Sequence, residues 1–345
     1  MQGLRPIKLL DLSSQHTMQE RRISYAEAIL EATDQAMSIS SDVIVLGQLS
    51  DLPSGMFGTT AGLVEKYGHQ RVHDFPVAEN LMTAVALGTA LTGHRPLIVH
   101  HRLDFMMYSI DVIVNWLSLW YFKSNRKSNV PVTIRAIVGK GWGQGPQHSK
   151  SLHSWFSHLP GLRVAVPATA FDAKGLLMES LLGATPTIIV EGRNLFSMTE
   201  HVPEEPYRIP FGRAFVRRSG EDLTLVAIGT MVPLALRAAE LAQSEGISVE
   251  VIDPRTLTPL DRETICNSVS KTGRLVVADP GWRSFGAAGE IVTVVAETVG
   301  NKLKSNPIRI THPDSHTPMS MALEDHYYPS EADFCDAVAK SFYSK

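Results

Sequence analysis

Residues 71–93 read RVHDFPVAENLMTAVALGTALTG, and the rest of the chain is organised around them. The stretch opens as a short strand, turns at Pro76 and continues as an apolar run with helical character. Between 81 and 91 only Thr83 and Thr89 carry polar side-chain groups, so the helix reads as buried. One acid, Glu79, stands at the junction of turn and helix. Carboxylates are rarely buried unless something pairs with them. Two readings of Glu79 are open. It offsets the helix dipole from the first turn, or it holds a bound, protonatable ring.

On the N-terminal side, Ser24 and Glu27 have the spacing of a capping box, which predicts a helix up to about Ser38. The run VIVL at 43–46, ended by Gly47, reads as a buried parallel strand. Residues 48–60 then form a polar loop at that strand's C-terminal end, where open α/β sheets bind ligands. On the C-terminal side the pattern predicts strands at 96–100, 130–138, 162–166 and 187–191, with helices at 108–123 and about 171–182. This βαβα alternation predicts a doubly wound parallel sheet over 21–195. Residues 196–221 are polar, Pro-rich and aperiodic, and read as a linker. A second α/β series follows over 222–345, with strands at 223–228, 247–252, 275–278 and 307–311. Its helices are predicted near 232–244, 261–270 and 287–299.

With 345 residues the chain has room for two domains, and 44% hydrophobic residues give both a core. A net charge of −3 predicts no pull toward nucleic acid or an anionic membrane. No run of 18 or more apolar residues predicts a membrane span. Residues 1–20 lack the apolar core of a leader and read as an N-terminal extension. Cys266 and Cys335 fit no metal-ligand or redox spacing, so the expected compartment is the reducing cytoplasm.

Five of the eight residues from Gly139 to Pro146 are Gly or Pro, directly ahead of Gln147 and His148. Such a loop lets backbone approach a ligand. His148 reads either as a surface histidine or as a general acid/base presented to that ligand. The chain has no P-loop, no GxGxxG between strand and helix and no GxSxG elbow. No Asp/Asn/Gly cluster suits a magnesium diphosphate. His100 and His101 are adjacent on a strand end, so their side chains should face opposite ways and make a poor metal pair.

Taken in order, these landmarks are similar to a known family. They include GMF at 55–57, TAGL at 60–63, RVHDFPVAE at 71–79, GHRP at 93–96, DF at 104–105 and ID at 110–111 with Asn115. They continue with QHS at 147–149, WF at 155–156, HLPGL at 158–162 and DAKGL at 172–176. In the second half they are VID at 251–253, RTL at 255–257, KTGR at 271–274 and GW at 281–282. The chain resembles the beta subunit of the thiamine-diphosphate-dependent first component of 2-oxo acid dehydrogenase complexes (pyruvate, branched-chain and acetoin types). The resemblance covers about residues 22–342.

It implies a transketolase-like pyrimidine-binding domain followed by a transketolase C-terminal domain. It implies that Glu79 hydrogen-bonds the aminopyrimidine ring of thiamine diphosphate, that Phe105 packs on that ring, that Gln48 lies beside the cofactor, and that His148 faces the substrate. It further implies a potassium-type cation site of carbonyl oxygens at Val132, Ser180, Leu181, Gly183 and Thr185. Magnesium is expected on an alpha subunit, in a two-alpha, two-beta heterotetramer that passes its acyl group to a lipoyl acyltransferase core.

The chain departs from the family pattern at several places. Gln48 stands where a glutamate is usual, His100-His101-Arg102 precedes Phe105, and Lys140 and Trp142 enlarge the glycine-rich loop. Gly183 replaces an aspartate, and DSHTPMS at 314–320 replaces the usual C-terminal pattern. Two alternatives therefore stand beside the dehydrogenase reading: a split transketolase-like carboligase or ketol-transfer subunit that joins or moves two-carbon units in specialised metabolism, and a degenerate structural or regulatory subunit.

Overall fold

The computed structural model describes residues 21–140 and 143–343; the extension at 1–20 and Trp142 lie outside the described residues. The chain divides into two compact units. One takes in the described residues up to Val138 together with Phe156–Phe211, and the other Gly139–Trp155 together with residues from Gly212 onward.

The first unit begins with β1 (Arg22–Ser24) and α1 (Tyr25–Ile39). Ser24 Oγ accepts the Glu27 N–H at 3.2 Å while the Glu27 carboxylate accepts the Ser24 N–H at 2.7 Å, completing the capping box. There follow β2 (Val43–Gly47), α2 (Leu63–Tyr67), β3 (Val72–Asp74), α3 (Glu79–Leu91) and β4 (Arg95–His100). After α4 (Leu103–Met106), α5 (Ile110–Val112) and α6 (Trp120–Lys123) come β5 (Thr133–Val138) and α7 (His153–Ser157), of which the part up to Trp155 clusters with the second unit. The series closes with β6 (Arg163–Ala165), α8 (Ala170–Leu182), β7 (Thr187–Gly192) and β8 (Thr199–His201). Within this unit the strands of the main sheet are parallel, in the order β6-β7-β5-β4-β2-β3. Helices α1 and α8 cover the face that presents Val43, Val45, Leu97 and Val99.

Three local expectations differ from what is found. The helix predicted over 108–123 is broken into short pieces by a π-helical stretch, Ile113–Leu117. There Ser118 N–H bonds the Ile113 carbonyl at 3.1 Å, one residue further back than an α-helix allows. The Ser118 carbonyl meets Gly161, where a β-carbon would lie only 2.1 Å from it.

The segment read as a linker from 196 is packed as far as Phe211. β8 pairs antiparallel with β1, and Tyr207 and Ile209 are buried over Gly175 of α8. Its polar, Pro-rich composition hides this, because the packing is carried by single apolar residues without a period. Lys174 Nζ, fully buried, donates to the Pro203 and Glu204 carbonyls at 2.6 and 3.1 Å and ties the segment down. Third, α3 is not buried all round: Leu81 and Val85, one helical turn apart, are 52% and 38% exposed.

The second unit contains β9 (Phe215–Arg218), β10 (Leu223–Ala227), α9 (Val232–Ser244), β11 (Val249–Asp253) and a short β12 (Thr256–Thr258). It continues through α10 (Arg262–Thr272), β13 (Leu275–Trp282), α11 (Ala287–Val299), β14 (Ile308–His312), α12 (Met321–Tyr327) and α13 (Glu331–Tyr343). The sheet order is β14-β13-β10-β11-β9, with only β9 antiparallel to its neighbour. The glycine-rich loop from Gly139 clusters with this unit although β5, which leads into it, belongs to the first. Among the described residues no helix is long and apolar enough to cross a membrane.

The first unit's main sheet carries a fully buried ion pair. Arg135 on β5 meets Glu191 on β7 through two bonds, Nε to Oε1 at 2.6 Å and Nη2 to Oε2 at 2.9 Å. Nη1 adds a bond to Thr59 Oγ1 at 3.1 Å and so holds the loop after β2. Removing one partner strands a buried charge, whereas removing both does not. Glu191→Ala should cost about 3–5 kcal/mol of stability, and the Arg135→Met/Glu191→Leu double variant should recover most of it. Denaturant unfolding of the three proteins checks this; equal losses in single and double variants would refute it.

Candidate active site

Strand β2 leads on to β3 at one side of the sheet, and its other neighbour, β4, leads on to β5 at the opposite side. The C-terminal ends of β2 and β4 therefore flank a topological switch point, the place where such sheets bind ligands. Gln48 follows β2, Glu79 opens the helix after β3, and His101 to Phe105 follow β4.

Glu79 is 8% exposed. Gln48 Nε2 donates to its Oε1 at 3.3 Å, so two residues distant in sequence are brought together. The Glu79 backbone carbonyl accepts hydroxyl bonds from Thr83 at 3.0 Å and Ser109 at 2.8 Å, which fix the first turn of α3. Gln48 is itself placed by His101, whose Nε2–H donates to the Gln48 carbonyl at 2.5 Å. Burial lowers the His101 pKa, which favours the neutral ring. Leu49 N–H bonds Asp74 Oδ1 at 2.5 Å and Phe75 N–H bonds the Gly47 carbonyl at 2.9 Å, locking the ends of β2 and β3 together.

Phe105 lies on α4, part-buried, with its N–H on the Arg102 carbonyl at 3.2 Å. The guanidinium groups of Arg102 and Arg193 both lie over the Phe57 ring, at 5.6 and 4.5 Å from its centre. His100 differs from its neighbour: it is buried, and Nε2 has no hydrogen-bond partner among the described residues.

His148 belongs to the second unit, where the glycine-rich loop is built by contacts the sequence did not announce. Gly139 N–H bonds the His148 carbonyl at 3.0 Å, and His148 Nδ1–H points at the Gln144 carbonyl at 3.3 Å. Gly143 and Gly145 have φ of 67° and 69°. A β-carbon on them would meet Met319 at 2.6 and 2.5 Å, so both the backbone conformation and the space require glycine. Met319 belongs to the divergent 314–320 segment, which is thus the loop's support. Gly143 N–H also bonds Glu324 Oε2 at 3.2 Å, and the Lys140 ammonium lies 4.5 Å from the centre of the Tyr328 ring.

At the loop's far end His153 is fully buried. It takes Ser151 Oγ at 3.0 Å on Nδ1 and donates from Nε2 to Asp279 Oδ1 at 2.8 Å. Burial opposes the Asp279 charge. The His153 ring and the N–H groups of Gly281 and Ala288 outweigh it and hold that carboxyl below its usual range. A buried Asp inside the apolar run LVVADPGW was the available signal for this pair.

Of the five residues expected to form a cation site, Val132, Ser180, Gly183 and Thr185 have carbonyl oxygens that already accept a hydrogen bond. Val132 O accepts Thr187 N–H at 2.9 Å, Ser180 O accepts Gly183 N–H at 3.2 Å, and Thr185 O accepts the Thr187 hydroxyl at 3.0 Å. Gly183 O accepts the Arg95 guanidinium. Leu181 lies in the last turn of α8.

Two buried histidines make stability depend on pH. Burial pushes His100 and His312 down to about 3, from an ordinary value near 6.5. Around His312, Asp279 opposes the shift and Lys140 and His153 add to it. Between those values the unfolded chain takes a proton that the folded one refuses, so stability is full above pH 6.5 and falls as the pH drops. Each histidine should cost about 1.4 kcal/mol between pH 7.5 and 5.5. Unfolding at both pH values should show a smaller loss for His312→Asn than for the parent; an equal loss would contradict the burial argument.

Residues 21–198 match the transketolase pyrimidine-binding domain, and residues 212–333 match the transketolase C-terminal domain. The chain is 38% identical, over 331 residues, to the beta subunit of acetoin:2,6-dichlorophenolindophenol oxidoreductase of Cupriavidus necator, covering 93% of this chain and 98% of the relative. It is 37% identical over 307 residues to the pyruvate dehydrogenase E1 component subunit beta of Acholeplasma laidlawii, covering 89% and 93%. A solved chain described as a split-gene transketolase, inactive beta4 tetramer, superposes with a TM-score of 0.73 at 25% identity, covering 93% of this chain and 98% of that one. The chain belongs to the beta subunits of the thiamine-diphosphate-dependent 2-oxo acid dehydrogenase first components, built from a transketolase pyrimidine-binding domain and a transketolase C-terminal domain.

Proposed function

We propose that this chain supplies the pyrimidine-side half of a thiamine-diphosphate site, completed by an alpha subunit in a two-alpha, two-beta enzyme. The assembled enzyme acts on a small 2-oxo acid or a closely related ketone and passes the acyl group to a lipoyl acceptor. One observation carries the reading: a nearly buried carboxyl, Glu79, with one oxygen held by Gln48, at the switch point of a domain that matches the pyrimidine-binding family.

The residues fit the cofactor. Thiamine diphosphate, when bound, supplies the electron sink that decarboxylation next to a carbonyl requires. Glu79 Oε1 is taken by Gln48, which leaves Oε2 to share a proton with a pyrimidine ring nitrogen. Gln48 orients that carboxyl through a hydrogen bond but carries no titratable proton of its own. Phe105 offers an apolar surface to the ring. His148, on a loop that glycine brings close to its surroundings, donates to the substrate carboxylate. We assign magnesium and the diphosphate to the alpha subunit, since the relatives are themselves named as beta subunits. The apolar side chains of Val77, Leu81 and Val85, exposed around α3, support burial of that helix in the assembly.

The names of the relatives favour the acyl-transferring reading over ketose transfer, and the intact Glu79–Gln48 pair disfavours a degenerate subunit. Co-expressed with its alpha subunit, Glu79→Gln should keep its melting temperature and lose turnover by a factor of about 10²–10⁴, as removal of an acid/base group does. Turnover near that of the parent would refute the assignment. His148→Ala should leave calorimetric binding of thiamine diphosphate intact while lowering kcat; loss of cofactor binding would show that its role is misassigned.

A further inference from the structure

The carbonyl ring expected to hold a monovalent cation does not fit one in this chain, and we infer that the Arg95 guanidinium stands in its place as the fixed positive charge. Arg95 opens β4, with its N–H on the Asp42 carbonyl at 2.8 Å, and its side chain reaches the Gly183 carbonyl at the C-terminal end of α8. A helix end is where unpaired carbonyls gather and where positive charge is favourable. The guanidinium meets both needs without an ion.

Three further observations point the same way. First, the oxygens of Val132, Ser180 and Thr185 each already give one of their two lone pairs to a hydrogen bond from the chain itself, and the Gly183 oxygen gives one to a charged donor that would repel a cation. Second, the charge balance is wrong for an added cation. Arg163 and Arg208 share Glu179 at 3.5 and 2.7 Å, and Arg95 feels Arg208 as a repulsive neighbour and Asp42 as an attractive one. Three arginines thus face two carboxylates. The residue that would restore the balance, an aspartate at 183 in the pattern the chain resembles, is glycine.

Third, the turn has closed beyond what such an aspartate allows: a β-carbon on Gly183 would lie 2.6 Å from the Glu179 carbonyl oxygen. The resembling pattern keeps an arginine in its GHRP motif as well. What is particular to this chain is the missing carboxylate, which leaves guanidinium and cation as competitors for one carbonyl.

The test does not depend on the substrate or on the thiamine assignment. Thermal unfolding of the full-length chain is followed in potassium chloride and in choline chloride at equal ionic strength. The expected melting temperatures agree within about 1 °C, and Arg95→Met lowers them by roughly 3–6 °C in either salt, as loss of a charge-assisted bond would. Arg95→Lys, which keeps the charge and one donor, should fall between. A rise in the parent's melting temperature that saturates with potassium and not with choline would overturn the inference. So would an Arg95→Met protein as stable as the parent.

Discussion

A carboxylate can leave water only if hydrogen bonds or opposite charge replace its hydration. Glu79 is where the first unit meets that constraint, and much of the local architecture serves it. Gln48 supplies one bond, and His101 fixes Gln48 through its main chain. The hydroxyls of Thr83 and Ser109 secure the turn that carries the acid. Gln48, Glu79 and His101 arrive from three different strand ends, so the arrangement exists only because β3 and β4 both flank β2 in the sheet. Among the described residues the same arrangement leaves Glu79 Oε2 uncommitted, which is the oxygen the proposed cofactor contact relies on.

The second unit meets a different constraint, the shape of a loop. The glycines at 143 and 145 permit close approach, but a permissive backbone does not choose a conformation. Met319, Glu324 and Tyr328 choose it by packing and hydrogen bonding from a segment that lies about 180 residues later in the chain. The divergent 314–320 stretch and the enlarged loop therefore belong together.

The β-branched runs at 43–47, 133–138 and 187–192 and the capping box at Ser24 were legible because strand burial and helix initiation are local in sequence. Glu79 was legible for a related reason: a lone acid opening an apolar helix is a conflict visible in one dimension. The π-helical stretch at Ile113–Leu117 was not, since a helix of Ile, Val, Trp and Leu reads the same with either hydrogen-bond spacing. The segment ending at Phe211 was missed because Tyr207 and Ile209 are isolated in a polar sequence, and their burial depends on Gly175 of α8. His101 looked like half of a poor metal pair; its bond to the Gln48 carbonyl joins residues 53 apart in the chain.

By itself the sequence determined the class of fold, the places of most strands of the two main sheets and the lone acid that opens α3. Periodicity, caps and buried polar residues are written at short range. Tertiary structure alone decided which oxygens would remain available. It paired Gln48 with Glu79, closed the loop before His148 against Met319, and brought the Arg95 guanidinium to the carbonyl of Gly183. Hydrogen bonding is saturable and short-ranged, so whether a given donor is already engaged depends on which distant residue the fold has placed beside it.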